Sequence, residues 1–410
     1  MRSRRKLWAL ASVAVGLLAV GAIGGWYTFR GKVAQAAGSL LEDALAMALE
    51  PRTRPPHDNP TVVGTFGKCA EPRLDAWVDL LKDEPEVCKE FRAAKAPMGK
   101  IPDECLALVT PTNSLAWARG LMSCSRADTA GLPEGLFTTG HKRNGPSFQP
   151  WLTAARVLAW EVRAQVATKQ YGLAFETCAD VIATSRDLSW GGAIHGSMWA
   201  IATLKTVYPA CAEAVAAADP SSRAKFHAAL EAIRAARRTN SSILRDETVG
   251  AGIEVFGFEL DGRQLQRLPK ELRERVRPAP VRFPARIAAG WQLIRMRALT
   301  ADLLAIADFP DADRAPRMAM LAAREGDATD SPSVGLQEKF LRRLDDAAGL
   351  VEMLSAAANA DRAFPENTAS FTVNPLDGGV ELVPVEPESA GLAITVPTAA
   401  PIPGQIPMKK

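Results

Sequence analysis

The chain has 410 residues, of which 23% are charged and 47% hydrophobic, and its formal net charge is +3. These proportions are ordinary for a globular protein, and the length allows two or three domains. A charge so close to balance excludes a general electrostatic attraction of the whole chain to nucleic acid. Strong helix formers are abundant, above all alanine and leucine, so the composition favours a mainly α fold.

Residues 7 to 29, LWALASVAVGLLAVGAIGGWYTF, form an uncharged apolar run. As a helix this run is about 34 Å long, enough to cross a hydrocarbon core of roughly 30 Å. Aromatic residues that suit the two membrane interfaces lie near its ends, and basic residues that favour a cytoplasmic N-terminus precede it. We therefore predict a single-pass anchor in the inner membrane, with most of the chain in the periplasm. The basic residues are Arg2, Arg4, Arg5 and Lys6, and the aromatic ones are Trp8, Trp26 and Tyr27.

A cleaved signal peptide is the alternative to an uncut anchor. Ala34-Gln35-Ala36 has the small-x-small form of a cleavage site. The run is longer than the apolar part of a usual signal peptide, and Arg30 and Lys32 separate it from the candidate cut. These features favour the anchor, although both alternatives place the bulk of the chain outside the cytoplasm.

Six cysteines follow the apolar run. An even number of cysteines in an exported chain predicts up to three disulfides. Two intervals of 19 residues favour the pairs Cys69–Cys88 and Cys105–Cys124, although these four cysteines allow three pairings. No Cys-x-x-Cys occurs, so a structural role is favoured over metal binding or redox chemistry.

Three successive helices are predicted in the middle of the chain. The first begins at Pro150, which suits the first turn of a helix, and residues 173 to 185 and 193 to 217 form the other two. Cys178 and Cys211 lie in the second and third helices, so a disulfide between them is predicted. The first helix has an apolar face of Trp151, Ala154, Ala155, Leu158, Val162 and Val166.

The later part of the chain is predicted to be helical until a short β element near its end. Four glycines predict a loop or short strand at residues 248 to 262. Long helices are predicted at residues 281 to 308 and 334 to 362, with a short helix at 315 to 324 between them. Residues 370 to 397 favour a β-hairpin. The predicted buried faces of the long helices include Trp291, Leu299, Leu303, Leu336, Phe340 and Leu344.

The fold class is therefore mainly α, with an N-terminal transmembrane helix, an extracytoplasmic domain of helical hairpins or a bundle, and a small C-terminal β-hairpin or extended tail. We predict six segments along the chain. They are residues 1–32 (basic tip and anchor), 33–67 (stalk helix and proline-rich linker), 68–146 (cysteine-containing helical segment), 147–247 (helical hairpin domain), 248–364 (second helical segment with a basic patch) and 365–410 (β-prone or disordered tail).

Two short patterns resemble known motifs. Tyr171-Gly172-x-Ala174-Phe175 resembles the second helix of a tetratricopeptide-type hairpin, but it occurs once, so it indicates a helical hairpin only. Ser222-x-x-Lys225 is similar to the nucleophile motif of penicillin-binding enzymes, without the other motifs of that family. Because it follows Asp219-Pro220, a typical helix start, we interpret Ser222 as a residue of the helix cap.

The histidines do not form a recognisable metal or catalytic set. His57, His141, His195 and His227 are far apart, and none has a second histidine or a carboxylate at the spacing of helical metal ligands. The sequence therefore implies no metal and no cofactor.

One charged segment is a candidate binding surface. Ten basic residues and two acidic ones lie between Arg263 and Arg297, a net charge of +8. Such a segment suits anionic lipid headgroups, an acidic cell-wall polymer or an acidic protein surface. The alternative is a set of solvated helix faces. The candidate contact residues are Arg273, Arg275, Arg277 and Arg282.

The functional prediction is a non-enzymatic, single-pass envelope protein. Its disulfide-stabilised helical periplasmic domain is expected to act as a scaffold or binding protein for another envelope component. The alternative is a periplasmic hydrolase of the cell wall, whose catalytic residues would converge only in three dimensions. The sequence leaves open the partner and the oligomeric state.

Overall fold

The computed structural model describes residues 2–49, 113–123, 149–189, 193–274, 276–280, 282–325, 334–359, 368–376 and 379–397, with side chains from residue 20 to residue 46 in the first helix. The chain divides into two compact units, each made of two separate stretches. Unit 1 is Met1–Leu49 with Arg245–Ala305, and unit 2 is Glu50–Leu244 with Ile306–Lys410. The division into six successive segments stays a prediction.

The chain is mainly helical, with a small antiparallel sheet near its C-terminus, as predicted. The sheet contains β1 (Phe371–Leu376), β2 (Gly379–Pro384) and β3 (Ile394–Pro397) in that order, one strand more than the predicted hairpin. The α-helices of the described residues are α1 (Arg2–Leu49), α2 (Asn113–Met122), α3 (Gln149–Ala167), α4 (Tyr171–Leu188), α5 (Ala193–Ala217), α6 (Pro220–Ala235), α7 (Asn240–Phe256), α8 (Gly262–Arg267), α9 (Lys270–Arg273), α10 (Phe283–Ala307), α11 (Asp311–Glu325) and α12 (Val334–Ala358).

The first helix is one continuous element of 48 residues, so the predicted stalk follows the apolar run without a break. Among the residues that the structure describes, no helix combines the length and the apolar character needed to cross a membrane. The predicted stalk does not stand alone, because one of its faces is buried in the core of unit 1. That face consists of Val33, Ala37, Leu40, Leu41 and Ala44.

The prediction of a loop or short strand at residues 248 to 262 is wrong, because α7 continues to Phe256. Val249, Ile253 and Phe256 recur at helical spacing and are all buried against the core of unit 1. Burial of this stripe outweighs the low helix propensity of Gly250 and Gly252, about 1 kcal/mol each. The four glycines therefore led to the wrong prediction for this segment.

Helix α10 passes very close to α1 at Gly290. A Cβ atom added there would lie 2.8 Å from the Phe29 ring and 2.9 Å from a methyl group of Val33. A side chain at this position would therefore require Phe29 or Val33 to shift. In contrast, a Cβ atom added at Gly250 in α7 would meet nothing within 4 Å.

The core of unit 2 joins α3, α4 and α5 to α6, α12 and the sheet. The three predicted helices are confirmed, and α5 has the predicted limits. The helix start at Asp219 is also confirmed, since its carboxylate accepts hydrogen bonds from the Ser222 backbone N–H (2.9 Å) and hydroxyl (2.7 Å). A hydrogen bond from the Ser221 hydroxyl, together with these two bonds from Ser222, holds the pKa of Asp219 far below its usual value. Ser222 thus belongs to the helix cap, as interpreted from the sequence.

The predicted apolar faces of the later helices are only partly buried. Phe340 and Leu344 of α12 are buried as expected, but Leu336 is 58% exposed. In α10 the buried positions include Leu299 and Leu303, whereas Trp291 is 56% exposed. Periodicity located these helices but misplaced the ends of their buried faces.

The predicted disulfide between Cys178 and Cys211 is present and joins α4 to α5, with the two Cα atoms 5.9 Å apart. Both cysteines are fully buried in the core of unit 2. Cys69, Cys88, Cys105 and Cys124 lie outside the described residues, so their pairing stays a prediction.

We expect the double substitution Cys178→Ala with Cys211→Ala to lower the free energy of unfolding by about 2–4 kcal/mol, because the bond closes a loop that restricts the unfolded chain. Denaturant unfolding followed by far-ultraviolet circular dichroism measures this change. Reduction of the Cys178–Cys211 bond should lower the unfolding midpoint of the unchanged chain, and the double variant should lack this effect. An unchanged unfolding midpoint would show that the bond does not stabilise unit 2.

We also expect Gly290→Ala to lower the free energy of unfolding of unit 1 by about 1–3 kcal/mol, because the new methyl group overpacks the contact with Phe29 and Val33. Gly250→Ala is the matched control and should be neutral or stabilising by up to about 1 kcal/mol, since its site is open. Hydrogen exchange of unit 1 amides measures both effects. Equal effects of the two substitutions would contradict the close approach of α10 to α1.

Candidate functional site

Four aromatic rings of unit 1 form one connected group on two helices. Trp26 of α1 lies 5.5 Å from Phe283 of α10 and 5.8 Å from Phe29, and Phe29 lies 5.3 Å from Trp291 of α10, measured between ring centroids. These distances are typical of favourable aromatic pairs. We call Trp26, Phe29, Phe283 and Trp291 the aromatic surface.

The aromatic surface is largely open to solvent. The exposed fractions are 39% for Trp26, 61% for Phe283 and 56% for Trp291, and the neighbouring Tyr27 is 73% exposed. Single exposed apolar residues are common on soluble proteins, but contiguous exposed groups mark surfaces that bind a partner or a membrane. The clustering, rather than any one ring, makes this a candidate site.

Contacts between α1 and α10 show that the two helices run in the same direction. Trp26 meets Phe283 near the start of α10, and Asp43 forms an ion pair with Arg297 further along both helices. Arg297 also donates to the Ser39 hydroxyl at 2.8 Å. Helix α10 therefore begins beside Trp26, at the level where the apolar run of residues 7 to 29 ends.

The four predicted contact arginines do not form one equivalent set. Arg273 and Arg282 are exposed and make no ion pair within the described residues. Arg277 is engaged in the fold, because its Nε donates to Glu254 at 3.0 Å and its backbone N–H donates to the Glu254 carbonyl at 3.0 Å. Arg275 lies outside the described residues. Two of the four are therefore available to an anionic partner.

Sequence reasoning did not select two further basic residues near the aromatic surface. Arg286 is about one helical turn after Phe283 in α10, and Lys32 is about one turn after Phe29 in α1. Both are exposed and form no ion pair with any described residue. The sequence could have revealed both residues, because side chains three or four residues apart lie on the same face of a helix. Arg30 differs, because it pairs with Glu259 at 3.0 Å.

A serine, a histidine and a glutamate converge in unit 2. The Ser355 hydroxyl lies 2.9 Å from His227 Nδ1 and 2.6 Å from Glu231 Oε1, and Nδ1 lies 3.0 Å from the Ser355 carbonyl oxygen. A carbonyl oxygen only accepts hydrogen bonds, so Nδ1 carries a proton. The Ser355 hydroxyl then accepts from His227 and donates to Glu231.

This direction is the reverse of what a nucleophilic serine requires. A histidine base must accept the serine proton, whereas here His227 donates and the proton of Ser355 points to Glu231. Ser355 is also 1% exposed, which denies it to a substrate. Burial opposes ionisation of Glu231, but hydrogen bonds from Ser355 and Arg234 outweigh it and hold the pKa of Glu231 below its usual value. We interpret the cluster as a structural hydrogen-bond chain.

The remaining candidates of the sequence do not assemble into a site among the described residues. No group of three histidine, cysteine, aspartate or glutamate side chains is placed there to hold a metal ion. His57 and His141 lie outside the described residues, and only the backbone of His195 is described. Metal chemistry therefore gains no positive support from the part of the chain that the structure describes.

No protein-family model, curated protein or solved structure matches this chain. No relative therefore suggests an activity, a substrate or a partner. The functional argument depends on the residues themselves and on their geometry.

Proposed function

We propose that this chain is a non-enzymatic, single-pass envelope protein, anchored in the inner membrane, whose helical periplasmic part acts as a scaffold or binding protein for another envelope component. The apolar run of residues 7 to 29 and the basic residues before it support the anchor and its orientation. The observation that carries the proposal is the aromatic surface, which lies where this run ends.

The chemistry of this region suits a membrane interface. Tryptophan and tyrosine favour the headgroup level, where an apolar ring and its polar edge both find suitable surroundings. Arg282 and Arg286 flank Phe283 along the chain, and each basic residue near an anionic membrane gains about 1 kcal/mol. We therefore propose that unit 1 contacts the periplasmic face of the membrane through the aromatic surface, with anionic lipid headgroups as its partner.

The alternative function, a periplasmic cell-wall hydrolase, is less well supported. It requires a serine, carboxylate or histidine that a substrate can reach, with a base that can accept its proton. The described cluster of His227, Glu231 and Ser355 is buried at the serine and has the opposite hydrogen-bond direction. No other described group favours the hydrolase over the scaffold.

The first test concerns orientation in the membrane. A reporter that is active only in the cytoplasm should be silent when fused after Lys410 and active when fused before Met1, because the basic residues retain the N-terminus. The mass of the mature chain distinguishes an uncut anchor from cleavage after Ala36. Activity of the C-terminal fusion would overturn the proposed topology.

The second test locates Trp291 relative to the lipid. The full chain is placed in vesicles that carry a spin label at the headgroup level, with and without phosphatidylglycerol, and tryptophan fluorescence is compared with that of Trp291→Phe. The difference isolates Trp291, and we expect strong quenching of it in the anionic vesicles. Trp160→Phe, at a buried position of unit 2, is the matched control and should leave the quenched intensity unchanged.

The charge dependence is tested in the same vesicles. Changing Arg273, Arg282 and Arg286 together to Glu should weaken quenching of Trp291, and higher salt should do the same to the unchanged chain. Arg277 is left intact, because a glutamate there would face Glu254 and disturb the fold. Equal quenching with and without anionic lipid would contradict the proposed role of anionic headgroups, and no quenching in either kind of vesicle would contradict the membrane contact itself.

A further inference from the structure

A half-open cavity of about 450 Å³ lies in unit 2, independent of the surface that carries the proposed function. Helices α4, α5, α6 and α12 surround it. Its volume falls within the range of small-molecule sites, roughly 300–1,000 Å³. Most of its wall is aliphatic, which suits an apolar ligand. The aliphatic residues include Ile182, Ala200, Ile201, Leu204, Ile233 and Val351.

Arg186 is a deeply buried charged residue of the wall. The side chain of Arg186 is only 5% exposed, and its Nε donates to Asp187 Oδ1 at 2.8 Å. Its Nη2 donates to the same oxygen, but its Nη1 is buried and has no hydrogen-bond partner among the described residues. A buried charged donor without an acceptor is unfavourable, so this nitrogen indicates an acceptor that a ligand would supply.

The other charged residues of the wall are already engaged with one another or with the backbone. Arg234 pairs with Glu231 at 2.6 Å and with Glu352 at 3.6 Å, and all three side chains are about one-third exposed or more. Arg238 donates to the carbonyl oxygens of Ser189 and Ser242, both at 3.1 Å. Arg237 donates to the Asn240 side chain at 3.1 Å and to the Leu344 carbonyl oxygen at 3.3 Å. Nη1 of Arg186 is therefore a buried charged donor of the wall that a ligand could satisfy.

We propose that this cavity binds an aliphatic carboxylate, with its hydrocarbon chain against the aliphatic wall and its carboxylate accepting from Arg186 Nη1. A charge-assisted bond between a guanidinium and a carboxylate is strong and directional. Only one nitrogen of Arg186 is available, and Asp187 is beside it, so a single negative charge fits better than the double charge of a phosphate. The aliphatic wall selects for a hydrocarbon chain.

The test compares dodecanoate with dodecanol, which has the same chain and no charge. Both are titrated below their aggregation concentrations into the full chain in lipid nanodiscs, and heat of binding is measured. Dodecanoate should bind about tenfold to a hundredfold more tightly, because it alone forms the charged hydrogen bond. Equal affinity of the two probes, or no binding of dodecanoate, would overturn the proposal.

Two variants separate the cavity from partition into lipid. Ala348→Phe fills the cavity from its wall and should abolish binding of both probes. Arg186→Gln should remove the preference for dodecanoate, whereas Arg163→Gln, which breaks an exposed pair with Glu213, should not. Arg186→Gln could fail to fold, because Asp187 would lose an ion-pair partner. In that case the proposal is tested by Ala348→Phe and by the comparison of the two probes on the unchanged chain. Dodecanoate binding by Ala348→Phe equal to that of the unchanged chain would refute the site.

Discussion

The burial of one face of α1 is the constraint on which unit 1 depends. Residues from Val33 to Ala44 contact α7 and α10, so the helix that continues the apolar run also supplies part of a folded core. The buried side chains of Val33, Leu40 and Leu41 each contribute roughly 1.5–3 kcal/mol. Because α1 is one continuous helix, the orientation of its first half also sets the orientation of the aromatic surface.

Two kinds of basic residue occur in the segment between Arg263 and Arg297. Arg277 pairs with Glu254 of α7 and Arg297 pairs with Asp43 of α1, and both pairs stabilise the packing of unit 1. Others, such as Arg282 and Arg286, are exposed and form no ion pair within the described residues. The net charge of the segment counts both kinds of basic residue equally and therefore does not show this difference. Only the second kind can contribute to binding without a cost in stability.

The two units use apolar surface in different ways. Unit 1 leaves a group of aromatic rings exposed to solvent, whereas unit 2 contains a half-open cavity with a mostly aliphatic wall. A surface of the first type suits an extended partner such as a lipid face. A cavity of the second type suits a small ligand. The two proposals rest on different residues and fail or succeed separately.

Local patterns in the sequence determined much of the fold: the helices of unit 2, the cap at Asp219, the Cys178–Cys211 bond and the C-terminal strands. These features depend on neighbours within a few turns, or on two cysteines in adjacent helices. Only the tertiary structure shows that α7 is helical despite Gly250 and Gly252, that Trp291 is exposed and that Nη1 of Arg186 has no acceptor among the described residues. Arg297 is an example, because its partner Asp43 is 254 residues away in the sequence. A local pattern of residues cannot predict a contact over such a separation. Exposure and pairing of charge are properties of the packed chain, so the candidate site could be only partly predicted.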